Sequence, residues 1–476
     1  MPKRAVLPVL FLSGLFFFGQ AAPPKGGQVP TPAAKAAELV SFLRDDSFRA
    51  AAKLADRLLA DPALDVETRA VCGLAVLKAG RVEEAAAILA KAVERLPGCP
   101  EAHLGLGRIA RIRNDRDTAI AHLRRAVPSE AFYEEALRYL WRTVWDRGRV
   151  EELFEVRALA EERYGRESRS LPSWITNGLA QIKGREGRRL YRMEDRFERL
   201  RVPLVRSEPR SRIRMIDLGL NGRGEYPFHI DSALVEFMTI SPLLAEELGL
   251  VPTGSATSTG VGTAPIATRF SVLDEVRLGP VTFHDVPIMV SDVQTLRGLK
   301  EGLIGTALLK RFNATIDVEA GFMDLFPLDR PELLARTIDR ARVAADVPLL
   351  LFDSTAVEVS FSGAPPGLCI LDSAASANLV DAPFFAKHIR PKLDPARIVR
   401  GGIRGAGGSQ SVNQVEGVSI AVDGLAFNGQ ITEFPMAALN EIAGRYAAGL
   451  VGNHLLWPYR VHMDFKNGRL ILERRD

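Results

Sequence analysis

Two kinds of hydrophobic periodicity divide the chain near residue 196. From about residue 35 to residue 165 the sequence is rich in Ala, Leu, Glu and Arg, and its apolar positions recur with helical spacing. From about residue 196 onward, short alternating and β-branched runs such as VEVSF and GVSIAV are separated by Gly, Pro and Asn, which is typical of strands and hairpins. The pattern therefore predicts an all-α region followed by an all-β region.

The helical region repeats at a constant interval. Gly80, Asn114 and Gly148 are equally spaced, and Ala92, Ala126 and Ala160 keep the same spacing. A period of about 34 residues with small residues at fixed places is typical of stacked helix–turn–helix units, and Gly or Asn at the turn can adopt the left-handed conformation that ends a helix. The region, and KAGRVEEAAAILAKAVERLP at 78–97 in particular, resembles tetratricopeptide repeats. The resemblance implies three to four units that bind a protein partner; a spacer or packing platform is the alternative.

The β-rich region contains the same motif order twice. In each half an apolar strand leads into Asp-Ser-Ala, a Gly follows at the same distance from the Asp, and an apolar-apolar-Gly segment comes later. These features are 231–233, Gly260 and 303–305 in the first half, and 372–374, Gly401 and 450–452 in the second. Each half then ends in a turn and a strand. The symmetry predicts two lobes with one plan.

This motif order resembles the aspartic proteases, whose lobes each carry an Asp-Thr/Ser-Gly loop, a flap and a later apolar-apolar-Gly segment. Each lobe resembles a retroviral-type subunit, and the pair resembles the bilobal, pepsin-like arrangement over about residues 200–476. The resemblance implies two catalytic carboxylates, two hydroxyls that brace the loops, and two small residues beside the carboxylates. In that order these are Asp231 and Asp372, Ser232 and Ser373, and Ala233 and Ala374.

Two carboxylates a hydrogen bond apart can hydrolyse a peptide bond without a metal. Like charges at that distance cannot both be ionised, so the pair shares one proton. The ionised carboxylate activates a water, and the protonated one donates a hydrogen bond to the scissile carbonyl. The sequence therefore predicts an aspartic-type endopeptidase that acts on an extended peptide or protein segment.

Two segments rich in Gly, Thr and Ser, 253–268 and 401–411, predict the flaps that close over a bound chain. Their flexible residues are expected at Gly260, Gly262, Gly401 and Gly402. Two ordinary surface hairpins are the alternative.

The motifs depart from the family at their third residue, which is usually Gly and is Ala in both lobes. Ala retains the backbone N–H that can bond the carboxylate. A catalytically inactive, peptide-binding module or a repeat scaffold is the alternative to an active enzyme. Glu236, close to Asp231, either perturbs the carboxylate pair or faces solvent.

Composition narrows the choice of partners and cofactors. Hydrophobic residues make up 47% and charged residues 25%, as in globular proteins, and the net charge of +4 is spread along the chain, so nucleic acid is not expected. The seven histidines show no metal-binding spacing, and neither a metal nor a cofactor is expected. Of the three cysteines, Cys72 and Cys99 can pair in an oxidising compartment, and Cys369 is expected to be a buried thiol.

The first residues predict export. Lys3 and Arg4 precede an apolar run at 5–18, and small residues follow at 19–22, as in a cleaved signal peptide. The run is shorter than the roughly 20 residues of a membrane span, so we expect a periplasmic or secreted protein without stable membrane insertion; an uncleaved signal anchor is the alternative. The predicted division is a signal peptide at 1–22, a linker at 23–34, repeats at 35–165, a linker at 166–195, and two protease lobes at 196–335 and 336–476.

Overall fold

The computed structural model describes residues 32–165, 171–194, 196–206, 213–258, 260–262 and 264–475. The predicted signal peptide at 1–22 and most of the linker at 23–34 lie outside these ranges. No helix within them is long and apolar enough to cross a membrane. The three cysteines are free, buried thiols, so Cys72 and Cys99 are not paired.

The helical region forms four successive helix pairs, which we call the helical array. Its helices are α1 (Pro32–Arg44), α2 (Phe48–Leu59), α3 (Val66–Lys78), α4 (Val82–Arg95), α5 (Pro100–Ile112), α6 (Arg116–Ala126), α7 (Tyr133–Arg147) and α8 (Val150–Tyr164). The turn inside each pair contains one residue with positive φ, and these residues are equally spaced along the chain: Asp46 (52°), Gly80 (90°), Asn114 (56°) and Gly148 (77°). The predicted repeat is confirmed, and Asp46 marks the turn of an additional first pair.

Small residues let the paired helices approach closely. The interval between Gly73 and Gly107 equals the interval between the leucines that they face, Leu89 and Leu123. A Cβ on Gly73 would lie 2.8 Å from the Leu89 side chain, and one on Gly107 would lie 2.7 Å from that of Leu123. The repeated small positions are therefore contact points between helices.

The segment predicted as a linker, 166–195, packs against the first lobe over its described residues, which corrects that prediction. Helix α9 (Ser173–Ile182) buries Ile175 and Ile182 completely, at the i, i+7 spacing of one helical face. The Gln181 side-chain amide donates to the carbonyls of Ser271 (3.2 Å) and Ile288 (3.3 Å) in that lobe. The short strand β1 (Arg192–Met193) joins the same sheet.

Two lobes with the same strand order follow. The first contains β2 (Leu200–Pro203), β3 (Val205–Arg206), β4 (Arg214–Leu220), β5 (Glu225–Ile230), β6 (Met238–Ile240), α10 (Pro242–Glu247), β7 (Gly254–Ser258), β8 (Ile266–Leu278), β9 (Val281–Ser291), β10 (Gly302–Ile304), α11 (Thr306–Leu309), β11 (Phe312–Asp317), β12 (Phe322–Pro327) and α12 (Pro331–Ala335). The second contains β13 (Val343–Pro348), β14 (Leu350–Leu351), β15 (Thr355–Phe361), β16 (Gly367–Leu371), β17 (Asn378–Asp381), α13 (Ala382–Phe384), β18 (Ile398–Gly405), β19 (Gly408–Val422), β20 (Leu425–Phe434), α14 (Ala437–Ala443), β21 (Gly449–Val451), β22 (Arg460–Asp464) and β23 (Arg469–Glu473).

The lobes are duplicates in topology. Neighbouring strands run β4-β5-β10-β6-β9-β8-β7 in the first lobe and β15-β16-β21-β17-β20-β19-β18 in the second. In both, the long hairpin strand returns to pair with the first strand, β8 with β4 and β19 with β15. A third sheet of six strands, β13-β23-β22-β11-β12-β2, joins the lobes through the antiparallel pair β11–β22. The predicted bilobal β architecture is confirmed.

The lobes rest on the first helices of the array's pairs. Arg111 of α5 and Arg142 of α7 both bond the Asp353 carboxylate, at 2.8 and 2.9 Å. Lys310 of the first lobe pairs with Asp146 of α7 at 2.6 Å. Polar contacts from two different helix pairs therefore fix the array against the two β lobes.

Candidate active site

Each candidate aspartate follows the central strand of its lobe and is fixed by the apolar-apolar-Gly strand beside it. Strand β10 runs parallel to β5, and the Asp231 N–H donates to the Ile304 carbonyl at 3.0 Å. Strand β21 runs parallel to β16, and the Asp372 N–H donates to the Val451 carbonyl at 2.9 Å. The two aspartates thus occupy equivalent positions.

Both carboxylates accept hydrogen bonds at one oxygen only from the described residues. In each lobe Oδ1 accepts from the two backbone N–H groups that follow the motif serine: Ala233 (2.9 Å) and Leu234 (2.9 Å) for Asp231, and Ala374 (2.9 Å) and Ala375 (3.0 Å) for Asp372. The alanines in place of the family's Gly keep this bond, and neither has a positive φ. No described residue donates a hydrogen bond to either Oδ2.

The motif serines tie the two loops together across the lobes. The Ser232 hydroxyl donates to the Leu371 carbonyl (2.6 Å) and accepts from the Ser373 N–H (3.0 Å). The Ser373 hydroxyl donates to the Ile230 carbonyl (2.6 Å) and accepts from the Ser232 N–H (3.1 Å). Both serines are fully buried. Four reciprocal bonds therefore set the relative position of the two carboxylates.

Two threonines that sequence reasoning missed add to this brace. The Thr306 hydroxyl donates to the Ser232 carbonyl at 2.9 Å. The Thr355 hydroxyl lies 2.9 Å from the carbonyls of both Ser232 and Leu371, so it contacts both loops. Thr306 follows Gly305 directly and could have been noticed for that reason. No sequence signal marks Thr355, because its role arises from the packing of one lobe on the other.

The glycines of the apolar-apolar-Gly segments are required by close packing behind the aspartate loops. A Cβ on Gly305 would lie 2.1 Å from the Glu236 carbonyl oxygen, and one on Gly452 would lie 2.5 Å from the Ala375 carbonyl oxygen. Side-chain carbons do not approach carbonyl oxygens so closely. These residues hold the loops in place without touching a substrate.

Burial and mutual repulsion set the protonation of the carboxylate pair. Desolvation raises the pKa of Asp231, although the N–H groups of Leu234 and Ala233 oppose it. Desolvation raises the pKa of Asp372 as well, and the nearby Asp231 charge raises it further. The pair is thereby suited to hold one proton, which general acid–base chemistry on a peptide requires.

Glu236 does neither of the two things that its position in the sequence suggested. It lines a cavity of about 280 Å³ between α7, α9 and the first lobe. Burial there raises the pKa of its carboxyl, and the largest opposing effect on that pKa comes from the Arg142 charge of α7. It therefore belongs to the contact with the helical array and not to the carboxylate pair.

The predicted flaps are hairpins whose tips meet. The first joins β7 to β8, with Gly260 and Gly262 at its tip; the second joins β18 to β19 through Ala406 and Gly407. The Gly407 N–H donates to the Val261 carbonyl (2.8 Å), and the Ala264 N–H donates to the Gly407 carbonyl (2.9 Å). These bonds join the two flap tips to each other.

Gly401 and Gly402 belong to the second flap hairpin, as predicted, but they occupy a different place in it from Gly260 and Gly262 in the first. Both lie inside β18, opposite Val412 and Ser411 of β19, and not at the flap tip. The connection at 382–397 that precedes β18 is longer than the one at 241–253 that precedes β7, and β18 is itself longer than β7. An equal distance from the aspartate therefore reaches the strand in one lobe and the tip in the other.

The flaps complete apolar walls on both sides of the carboxylates. Val261 of the first flap packs on a cluster of the second lobe that includes Ile370, Val412 and Leu450, together with Ala233. Ala406 of the second flap packs on a first-lobe cluster that includes Ile266. Each flap tip thus crosses to the opposite lobe, and the cleft between them has apolar walls.

The fold and the site together resemble those of a bilobal aspartyl protease behind a helical array. No group of three or more His, Cys, Asp or Glu in the described part of the chain can hold a metal ion. Residues 216–308 match the family of aspartyl proteases, and residues 37–98 and 71–136 match the tetratricopeptide repeat. No curated protein matches the chain. The chain therefore contains tetratricopeptide repeats and an aspartyl protease domain; the second lobe lies outside the matched range and repeats the strand order of the first.

Proposed function

We propose that the protein is an aspartic-type endopeptidase in which Asp231 and Asp372 activate one water. The observation that carries the proposal is the pair of carboxylates on cross-braced equivalent loops, each with Oδ2 free of hydrogen bonds from the described residues. The ionised carboxylate takes a proton from the water as its oxygen attacks the scissile carbonyl carbon. The protonated carboxyl donates a hydrogen bond to the carbonyl oxygen, and a proton then passes to the leaving amine.

The substrate that fits this cleft is an extended polypeptide with apolar side chains on both sides of the scissile bond. Support comes from the apolar cluster on each side of the aspartates, with Leu303 in one lobe and Leu450 in the other at equivalent positions. The closed flaps must open to admit a chain, because the hydrogen bonds between their tips span the cleft.

Export of the protein is part of the proposal and is supported by the apolar run behind Lys3 and Arg4. Cell fractionation and N-terminal sequencing of the mature chain test it. A new N-terminus near residue 22 in a soluble exported fraction is expected. A full-length chain in the membrane fraction would indicate a signal anchor, and a cytoplasmic full-length chain would contradict export.

The activity is tested with a broad peptide mixture incubated with the full chain from about pH 3 to about pH 8, a range that brackets ordinary and raised carboxyl pKa values. We expect cleavage by the wild type, inhibition by a statine-type transition-state analogue, and loss of cleavage in Asp231→Asn and Asp372→Asn. Asp217→Asn is the matched control, because Asp217 is exposed on β4 of the same lobe. Peptides that bind the wild type and both Asn variants equally, without cleavage, would instead indicate an inactive peptide-binding module.

A further inference from the structure

An open pocket of about 800 Å³ lies at the edge of the helical array, and the proposed catalysis does not use it. It is formed by the turns of the third and fourth helix pairs, at 113–118 and 147–149, together with one residue after α9 and one from the β22–β23 turn. None of its lining residues belongs to the apolar walls of the cleft. Its size is within the range of ligand-binding pockets.

The pocket is strongly cationic. Six of its lining side chains carry positive charge: Arg113, Arg116, Arg147, Arg149, Arg189 and Lys466. Its two carboxylates are already engaged, because Asp115 accepts from the Thr118 N–H at the start of α6 (3.1 Å) and Asp117 pairs with Arg147 (3.1 Å). The lining therefore has more positive charge than its own carboxylates can balance.

Three of these cations have no ion pair within the described chain: Arg116, Arg189 and Lys466. Arg113, Arg147 and Arg149 each pair with a carboxylate at 2.9 to 3.2 Å. Arg189 and Lys466 are exposed at the pocket's rim. Since the unpaired charges lie on different elements of the fold, the pocket brings them together from distant parts of the sequence.

Arg116 is the least satisfied of the three. Its Nε and Nη2 atoms are buried and have no hydrogen-bond acceptor in the described chain. Burial lowers the pKa of its guanidinium, and the nearby Arg111 and Arg189 charges act in the same direction against Asp146. Buried donors of a cation that find no acceptor are costly, and an anion in the pocket would accept from them.

We propose that this pocket binds an acidic segment of a polypeptide chain. Arginines suit carboxylates because the guanidinium presents several donors in one plane. Apolar side chains, including Leu106 and Ile109 of α5, form part of the wall, and an inorganic anion has no use for them. Arg111 of α5 and Arg142 of α7 are engaged by Asp353 of the second lobe, whereas the pocket is open, so this edge of the array is accessible to a protein partner.

The test measures binding of a fluorescent peptide of alternating Glu and Leu to the full chain by anisotropy. The chain carries Asp231→Asn and Asp372→Asn, so the probe cannot be cleaved and the result does not depend on the proposed activity. We expect saturable binding that weakens as salt rises from about 50 mM to about 300 mM. The same peptide with Gln in place of Glu should bind at least about tenfold more weakly, since charge-assisted bonds are lost.

Two pocket variants and one control locate the site. Arg189→Glu reverses an exposed charge and should weaken peptide binding about tenfold. Arg116→Met should weaken it while leaving the thermal midpoint of the peptide-free protein unchanged or higher, because a cation with two buried, unsatisfied donor atoms is removed. Arg57→Glu makes the same charge change on the exposed side of α2, away from the pocket, and should bind as the parent does.

Three results would overturn the proposal. They are equal binding of the Glu and Gln peptides, equal binding by the parent and both pocket variants, and no peptide binding at all. Pyrophosphate is the second probe. If pyrophosphate binds at this pocket and the peptide does not displace it, the pocket is a site for phosphate groups and the proposal is wrong.

Discussion

Replacing Asp353 with Asn tests whether the helical array is part of the protease structure. Asp353 is 6% exposed and accepts hydrogen bonds from Arg111 at 2.8 Å and Arg142 at 2.9 Å. Burial alone would raise the pKa of this carboxyl, but the Arg142 and Arg111 charges outweigh it and hold the pKa below its ordinary value. Asp353 is therefore ionised in the folded protein and balances two arginines.

The cost of the change follows from the burial of its partners. The Arg111 side chain is 8% exposed, so Asp353→Asn removes the nearer of its two counter-charges, at 2.8 Å, and leaves only the Asp146 carboxylate at 4.0 Å. Breaking a buried ion pair in this way lowers the free energy of unfolding by about 3–5 kcal/mol. We expect a smaller loss, about 2–4 kcal/mol, because Asn keeps one acceptor oxygen and the Arg142 side chain is 34% exposed. Asp274→Asn is the matched control: its ion pair with Arg185 is exposed and should cost at most about 0.5 kcal/mol.

Tryptophan fluorescence during denaturant unfolding is a suitable assay. Three of the four tryptophans, Trp141, Trp145 and Trp174, line the cavity between the array and the first lobe and report on this contact directly. In a double-mutant cycle, Asp353→Asn should cost less when Arg111→Met is already present, with a coupling of about 1–3 kcal/mol. A cost no larger than that of Asp274→Asn, or strictly additive changes, would refute the reasoning.

Three further predictions concern the flaps, the loops and the pH profile. A Cβ on Gly260 would lie 2.9 Å from that of Ala406, so Gly260→Cys with Ala406→Cys should form a disulfide between the flap tips on oxidation. Cleavage should then stop and return with reductant; activity after full crosslinking would contradict the need for flap opening. Gly452→Ala should destabilise the protein by about 1–3 kcal/mol or more, whereas Gly98→Ala, with nothing within 4 Å, should leave the thermal midpoint unchanged; equal midpoints would contradict the close packing. Burial and the neighbouring aspartate raise the pKa of Asp372. Cleavage should therefore persist at pH values above the ordinary carboxyl pKa range and fall only as pH rises through the raised pKa. A pH–rate profile that has already fallen at about pH 4 would contradict this.

The parts of the fold that the sequence predicted are those encoded by local repetition. The left-handed turn residues Gly80, Asn114 and Gly148 are recognisable because Gly and Asn tolerate positive φ. Asp46 occupies the same turn in the first pair and was missed, since Asp also serves in many ordinary loops. The aspartate loops were recognisable because each needs the same short motif, whatever packs around it.

The features that the sequence did not reveal depend on contacts between distant segments. The contacts of Thr355 with Ser232 and of Asp353 with Arg111 join residues that are far apart in the sequence. Equal spacing from the aspartates does not make Gly260 and Gly401 equivalent, because it takes no account of the longer connection before β18. Periodicity reports which residues face inward but not which distant segment they meet.

The contacts around Asp353 connect the helical array to the aspartate loops through a very short path. Asp353 is held by α5 and α7, and Thr355, two positions later, bonds the carbonyls of Ser232 and Leu371. The segment that braces both aspartate loops is therefore itself anchored to the array. If the array were only a flexibly tethered module that recruits a partner, its removal would leave the aspartate loops unaffected. In this chain, removal of the array would leave the Asp353 carboxylate without both of its cations, so the protease lobes are expected to need the repeats for the geometry of their own active site.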